Sequence, residues 1–246
     1  MSTHLITGRS GLPWRSALAV AVALACVGCA TRPDGNPRDP FENYNRGMFA
    51  FNDGVDRAIF KPAATMYRAV TPAPVRTGVS NFLGNLEDVW SFVNSLLQGK
   101  PQAAAQTFVR FNVNTFLGLG GVLDIASEAR IDRQREDFGQ TLGVWGVPSG
   151  PYLVLPFLGP STVRDTVGLP VDMAADLISN IDHVPTRNAA KVVDLLDTRA
   201  ALLRAGDTLE EAALDKYSFT RDAFLQRRRS AVYDGDPPDE SAEPRR

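Results

Sequence analysis

Residues 39–62 read DPFENYNRGMFAFNDGVDRAIFKP, and their apolar side chains recur at intervals of three or four. This spacing predicts one amphipathic helix, because positions three and four apart share a helix face. Asp39 and Pro40 are typical of an N-cap and a first helical residue, and Glu42 completes a capping box. Pro62 is expected to stop the helix or turn it sharply, since proline lacks the amide hydrogen. The apolar stripe consists of Phe41, Tyr44, Met48, Phe51, Val55 and Ile59.

Helical patterns also account for most of the remaining chain, whereas alternating strand patterns are scarce. The sequence therefore predicts an all-α fold made of short and medium helices in one domain. The predicted helices lie near 62–70, 73–83, 85–99, from 101, from a cap at Ser161, near 171–180, at 187–205 and, after a capping box at Asp207 and Glu210, up to Arg227.

Two stretches are unusually apolar. Residues 115–126 are hydrophobic on all sides, which is typical of a segment that is deeply buried or in contact with lipid. Residues 138–160, FGQTLGVWGVPSGPYLVLPFLGP, contain no charge in 23 residues, yet they have too much glycine and proline for a helix. Strand pairing is expected around Tyr152 to Leu155.

The N-terminus has the features of a secretory signal. Arg9 and Arg15 precede an apolar stretch, residues 16–28, that is too short to cross about 30 Å of hydrocarbon as a helix. Cys29 follows, and we expect it to be the acylated first residue of a mature lipoprotein. Cys26 is a rival acylation site, and an ordinary signal peptide with incidental cysteines is the other alternative.

These features predict four parts of the chain: a signal peptide at 1–28, a tether at 29–38, a helical domain at 39–227 and a disordered polar tail at 228–246. The formal net charge of −2 and the 44% hydrophobic content are ordinary for a folded protein. No electrostatic feature points to nucleic acid as a partner.

The sequence offers little for covalent chemistry. After signal cleavage His183 is the only histidine, and no serine lies in a G-x-S-x-G motif. A zinc site would need several histidine or cysteine ligands. His183 is expected to be an exposed or capping residue just before a helix. Carboxylates such as Asp124, Asp137 and Asp165 are interpreted as caps and surface charges, and the arginines at 227–229 as a favourable helix C-terminus. The protein is therefore not expected to be an enzyme.

A set of ordered motifs resembles the MlaA (VacJ) lipoprotein family from about residue 39 to about residue 225. The resemblance implies an outer-membrane lipoprotein, anchored on the periplasmic face, whose helices form a ring with an amphipathic central channel in the inner leaflet. The motifs are Asp39-Pro40-Phe41-Glu42, Asn45-Arg46, Phe51-Asn52, Ser80-Asn81-Phe82, Gly84-Asn85-Leu86, Arg110-Phe111, Asn114-Thr115, residues 118–124, 138–143 and 150–152, Leu155-Pro156-Phe157 and Arg164-Asp165.

The resemblance also implies the function. Family members remove mislocalised phospholipid from the outer leaflet, hand it to a periplasmic carrier protein and associate with trimeric porins. No cofactor is expected beyond the covalent N-terminal lipid, and phospholipid is the cargo. A structural lipoprotein that binds porins without moving lipid is the main alternative, and a lipid-modifying enzyme is a further one.

A lipid channel needs apolar walls with a few polar groups for the headgroup. The candidates for that polar lining are Arg110, Asn112, Asn114, Arg164 and Asp165, which lie beside the apolar stretches. Residues 142–158 are hypothesised to form a gating or wall segment with glycine hinges. Its candidate residues are Leu142, Gly143, Gly146, Gly150, Tyr152, Pro156 and Phe157.

Overall fold

The computed structural model describes residues 36–238, and helices dominate it. The all-α prediction is confirmed. Cys26, Cys29, the signal peptide and the end of the tail lie outside the described residues. The elements, in chain order, are α1 Glu42–Val55, a π-helical segment Asp56–Phe60, α2 Lys61–Val70, α3 Ala73–Leu97, α4 Pro101–Phe116, α5 Ile125–Glu128, α6 Phe138–Val144, β1 Tyr152–Leu155, β2 Gly159–Thr162, α7 Val163–Ala175, α8 Val184–Ala201, α9 Leu203–Ala212 and α10 Lys216–Val232.

The first helix differs from its prediction at both ends. Asp39 does not cap it, since α1 begins at Glu42 and the side chain of Asp39 is buried. There it accepts hydrogen bonds from Asn45 and from the Tyr217 hydroxyl. Pro62 does not stop the helix either, because a π-helical turn before it allows the chain to continue into α2 without a break.

The segment predicted as two helices, 73–83 and 85–99, is one helix, α3, of 25 residues. Gly84, which lies between the two predicted segments, is inside this helix. Its actual environment is the guanidinium group of Arg133, whose Cζ lies 2.7 Å from the position that a Cβ on Gly84 would occupy. A Cβ at this position would therefore require the Arg133 side chain to shift, and the glycine marks a close side-chain approach and not the end of a helix.

The C-terminal helices are also divided differently. Gly206 lies inside α9, so Asp207 and Glu210 do not form a capping box, and the N-cap of the last helix is Asp215. That helix does not end at Arg227. It continues to Val232, which is buried. The predicted disordered tail therefore begins too early, because residues 228–232 pack against the rest of the protein.

The predicted strand at residues 152–155 is confirmed as β1, which pairs antiparallel with β2 through Tyr152–Thr162 and Leu155–Gly159. The following helix, α7, is capped by Thr162 and not by Ser161, since the Thr162 hydroxyl accepts a hydrogen bond from the amide of Asp165. The hairpin packs on α1 and α10. One small apolar cluster forms there, from Tyr152, Val154 and Tyr217 with Met48, Phe49, Phe224 and Leu225 at its border.

The distribution of polar and apolar side chains is inverted relative to a water-soluble protein. Within residues 36–238, 19 polar or charged residues are buried, against only 10 hydrophobic ones, four of which are alanines. Over the same residues, 34 large hydrophobic side chains are exposed. The apolar stretch predicted to be buried or lipid-facing is on the surface, with Phe116 78% and Leu119 74% exposed. Among the helices described, none combines the length and apolarity needed to cross a membrane.

Candidate functional site: an amphipathic cavity

A cavity of 530 Å³ lies between α3, the segment 135–137, α6, α7, α8 and α10. Its volume is within the range of pockets that hold small ligands, about 300–1,000 Å³. Side chains of opposite character line it. The apolar ones are Leu83, Leu86, Trp90, Leu177, Ile178 and Phe224, and the charged ones are Glu87, Arg135, Glu136, Asp137, Asp172, Asp176, Asp194, Arg227 and Arg228.

Three helices are joined at one side of this cavity by a partly buried ion-pair network that we call the Arg228 cluster, consisting of Asp137, Asp165 and Arg228. From α10, Arg228 donates to both carboxylate oxygens of Asp137, at 2.5 Å each, and to both of Asp165, at 2.8 and 3.0 Å. Asp137 also caps α6, because its carboxylate accepts from the amide of Gln140. The arginine at 228 is thus a tertiary connector and not only a favourable C-terminal charge.

Three further carboxylates on the cavity wall are perturbed mainly by burial, which penalises the charged form. Burial raises the pKa of Glu136, of Asp172 and of Asp194 above the ordinary values. Burial acts in the same direction on Asp137, but the hydrogen bonds and charge of Arg228 outweigh it and lower the pKa of Asp137. Asp172 is held in place by Trp90 Nε1 at 2.7 Å and by the amide of Phe138 at 2.8 Å.

None of the twelve predicted channel residues lines this cavity. Two of them, Arg110 and Asn114 of α4, belong to a second buried network that we call the Arg110 cluster, consisting of Asp88, Arg110, Asn114, Asp124 and Arg133. Arg110 is 1% exposed and donates to both carboxylate oxygens of Asp124 at 2.6 Å. Asn114 donates to the same carboxylate at 3.0 Å. Their polar groups are thus used inside the fold.

The two carboxylates of the Arg110 cluster differ in electrostatics. Burial raises the pKa of Asp88 to about 6, although its oxygens lie 3.4 Å from Arg110 Nε and 3.2 Å from Arg133 Nε. Neither contact has hydrogen-bond geometry. Burial also acts on Asp124, but hydrogen bonds from Ser127, Asn114 and Arg110 outweigh it and lower its pKa to about 2. Asp124 caps α5, as predicted for a capping carboxylate.

The other polar candidates lie elsewhere. Within the described part of the chain, Asn112 donates only to the carbonyl oxygen of Phe108, on its own helix. Arg164 is buried and forms an ion pair with its neighbour Asp165 at 3.1 Å, and Asp165 in turn binds Arg228. Arg164 and Asp165 do not line the cavity, but Asp165 contacts Arg228, which does.

The predicted 142–158 segment spans the end of α6, a loop and the hairpin. Leu142 and Gly143 lie in α6, where a Cβ on Gly143 would be 2.7 Å from the guanidinium of Arg164. Gly146 and Gly150, at φ +90° and +67°, flank the exposed loop between α6 and β1. These two glycines satisfy the backbone requirement of a hinge, whereas Gly143 is fixed by packing. The gating role stays a prediction.

The last three candidates, Tyr152, Pro156 and Phe157, lie in different environments in the hairpin. Tyr152 is fully buried in β1, whereas Pro156 and Phe157 are exposed at the turn. The ring of Phe157 packs edge-on against Phe51 of α1, and its amide donates to the Asn52 side chain at 2.8 Å. The turn is thus fastened to α1, with its apolar tip facing outward.

His183 is confirmed as an exposed cap, since its ring accepts from the amide of Thr186 at the start of α8. Sequence reasoning missed the charged residues of the cavity. The available signal was a helix face that mixes apolar and charged residues at helical spacing, as in Leu83, Glu87 and Trp90 of α3. The same pattern occurs on any amphipathic helix whose polar face contacts bulk water, so it does not identify a cavity.

Comparison with known proteins identifies the family. The family model described as MlaA lipoprotein matches residues 37–231. The intermembrane phospholipid transport system lipoprotein MlaA of Shigella flexneri is 41% identical over 218 residues, covering 86% of each chain. The protein of the same name from Haemophilus influenzae is 38% identical over 227 residues, covering 88% of this chain and 90% of the relative.

The fold is found in a solved structure as well. That structure, described as "Structural basis for maintenance of bacterial outer membrane lipid asymmetry", superposes with a TM-score of 0.69 at 38% identity and covers 79% of this chain and 98% of that chain. Sequence and fold agree over nearly all of the described residues. The chain belongs to the MlaA lipoprotein family.

Proposed function

We propose that this protein removes mislocalised phospholipids from the outer leaflet of the outer membrane and passes them to a periplasmic carrier protein. Its relatives in Shigella flexneri and Haemophilus influenzae are named as lipoproteins of an intermembrane phospholipid transport system. The related solved structure concerns the maintenance of outer-membrane lipid asymmetry. The protein thereby contributes to keeping the two leaflets different.

The observation that carries this proposal is the amphipathic cavity inside a body with an apolar exterior. Its wall combines apolar side chains, such as Leu86, Trp90 and Phe224, with charged groups, of which Glu136 is buried and Arg228 is half-buried. A phospholipid headgroup needs the charges, and the glycerol and acyl chains need the apolar wall. Exposed apolar side chains such as Phe116 and Leu119 suit a body that is seated among lipids.

The same proposal includes the location and the partners. Acylation of Cys29 anchors the protein on the periplasmic face of the outer membrane, and the helical body forms a ring in the inner leaflet. A trimeric porin holds the protein in the membrane, and the periplasmic carrier accepts the lipid. The protein acts as a passive conduit without catalysis, so the direction of transport is set by its partners or by the lipid gradient.

The test is to fill the cavity without changing its charges. Ala175 lines the cavity at the end of α7, and its neighbour Ala174 is exposed and does not line it. In a deletion strain, wild-type protein is expected to keep phospholipid out of the outer leaflet. Ala175→Trp is expected to leave surface phospholipid at least severalfold higher, because the indole occupies the lipid's space. Surface phospholipid is measured by labelling intact cells.

Ala174→Trp is the matched control and is expected to complement like wild type. Both variants are checked for equal membrane levels and for co-purification with porin. If Ala175→Trp complements fully while the deletion strain shows the lipid defect, the cavity is not the lipid path. If deletion leaves surface phospholipid unchanged, transport is not the main task, and the porin-binding scaffold is favoured.

A further inference from the structure

Most of the charges on the cavity wall are neutralised by neighbouring groups of the protein. Arg228 pairs with Asp137, and Arg135 lies 3.8 Å from Glu87. Three more of the charged residues also have partners. Glu136 is bonded to Gln98 and pairs with Lys100, and Asp172 accepts a hydrogen bond from Trp90. Asp176 accepts from Ser179 and pairs with Lys191. Seven of the nine charged lining residues therefore have a hydrogen bond or an ion pair.

Asp194 and Arg227 are the two exceptions. Among the described residues, neither side chain forms a hydrogen bond or an ion pair, although both line the same cavity. Asp194 projects from α8 and is half-buried. Burial raises the pKa of Asp194, and the negative charges of Glu87 and Asp176 add to this effect, while Lys191 opposes it. A cation bound beside Asp194 would relieve this unfavourable environment.

Arg227 projects from α10, one residue before the arginine that binds Asp137 and Asp165. Those two carboxylates are already occupied by Arg228, so Arg227, an exposed residue that lines the cavity, does not have them as partners. A guanidinium binds phosphate through two parallel hydrogen bonds. The cavity thus offers one unpaired cation and one unpaired anion beside an apolar wall.

The total charge of the wall favours a zwitterion over an anion. Six carboxylates and three arginines line the cavity, and Lys100 and Lys191 pair with two of the carboxylates from outside it. Asp165 and Asp234 pair with Arg228 and Lys100 from outside it as well, so eight negative groups against five positive ones leave a net charge of −3. A headgroup that carries only a phosphate adds to this excess, whereas one that also carries an ammonium does not.

We propose that the cavity is a headgroup site selective for zwitterionic phospholipids with a primary ammonium, in which Arg227 binds the phosphate and Asp194 binds the ammonium. This inference rests on the proposed function, because it names the lipid class that the transport site prefers. It also assigns different tasks to the two residues. Arg227 contributes to the affinity for every phospholipid, whereas Asp194 discriminates between headgroups.

The experiment uses the full-length acylated protein and vesicles with equal amounts of phosphatidylethanolamine and phosphatidylglycerol. After incubation the protein is separated from the vesicles, and its bound lipids are quantified by mass spectrometry. Wild-type protein is expected to hold an excess of phosphatidylethanolamine. Asp194→Asn is expected to reduce the ethanolamine-to-glycerol ratio about tenfold to a hundredfold, the scale of one charge-assisted hydrogen bond. Arg227→Gln is expected to reduce both lipids and to leave the ratio unchanged.

Matched controls are Asp182→Asn and Arg204→Gln, which alter exposed residues that do not line the cavity. Both are expected to behave like wild type. An unchanged ratio in Asp194→Asn, or wild-type protein holding the lipids in equal amounts, overturns the headgroup assignment but leaves phospholipid binding intact. If wild-type protein takes up neither lipid, the transport proposal fails together with this one.

Discussion

The Arg110 cluster and the Arg228 cluster both bury an arginine between two carboxylates, yet they are built differently. In the first, Arg110 and Asp124 are 14 residues apart and belong to a helix and the turn that follows it. In the second, Arg228 reaches Asp165 and Asp137, 63 and 91 residues away. The first cluster shapes a local loop, and the second joins three helices around the cavity.

They also differ in how completely the charges are satisfied. Both carboxylates of the Arg228 cluster accept hydrogen bonds from the arginine. In the Arg110 cluster Asp124 is fully bonded, whereas Asp88 has ionic contacts only and a raised pKa. The Arg110 cluster lies beneath an exposed apolar loop, and its charges anchor that loop. The Arg228 cluster lies beside the cavity, and its charges hold the cavity wall together.

The largest effect is expected from Arg110→Met. The substitution keeps much of the side-chain volume but leaves Asp124 without its cation, and Asp88 with Arg133 alone, in a site where Arg110 is 1% exposed. Breaking such a pair typically costs about 3–5 kcal/mol. Urea unfolding is expected to show a loss of about 4 kcal/mol. Arg204→Met, on an exposed residue of α9, is the control, and an equal loss in both would contradict the structural role of Arg110.

Arg228→Met is expected to cost somewhat less, about 3 kcal/mol, because the Asp137 side chain retains 37% exposure and water can solvate it. The loss of α10 docking is also expected to open the cavity, since Arg228 joins α10 to both α6 and α7. Hydrogen exchange of the α10 amides measures this directly. Arg227→Met, the adjacent residue without an ion pair, is the comparison, and equal protection of α10 in the two variants would rule out a connector role.

The smallest expected effect is on the pH dependence of stability, through the carboxylate of Asp88, which has no hydrogen bond among the described residues. Asp88 has a pKa of about 6 in the fold against 3.8 ordinarily, so the folded state binds its proton more tightly. Wild-type stability relative to Asp88→Asn should therefore fall as pH rises from about 4 to 6, by roughly 2 kcal/mol. Above about pH 7, one unit past the folded pKa, the difference should be constant. Paired urea titrations at several pH values measure it, and a difference that is flat from pH 4 to 6 would refute the assignment.

Much of the helical content was predictable, because it depends on local signals. The spacing of the apolar residues predicted the position of α1. An uncharged stretch with residues typical of strands predicted the position of β1. Caps were predicted where the capping residue bonds within its own turn, as with Asp124 and His183. They were wrong at Asp39 and Asp207, because a carboxylate near a helix start can also serve a distant partner or lie inside a helix.

The residues of the candidate site were harder to predict from the sequence than the helices were. Arg110 and Asn114 were selected because they adjoin apolar stretches, but the fold uses them to bind Asp124. Asp194 was not selected, and Arg227 was interpreted only as part of a favourable helix C-terminus, since a charged residue on an amphipathic helix is ordinarily solvated. Their significance depends on a cavity formed by helices that are distant in the chain.

The sequence by itself determined the helical class, the strand at residues 152–155 and the family resemblance, because each depends on the order and spacing of neighbouring residues. Only the tertiary structure decided which faces are covered. Periodicity places Trp90 and Phe116 on helix faces, but it does not show that one lines a cavity and the other is 78% exposed. That outcome depends on which helices pack together, and long-range pairs such as Arg228 with Asp137 set it.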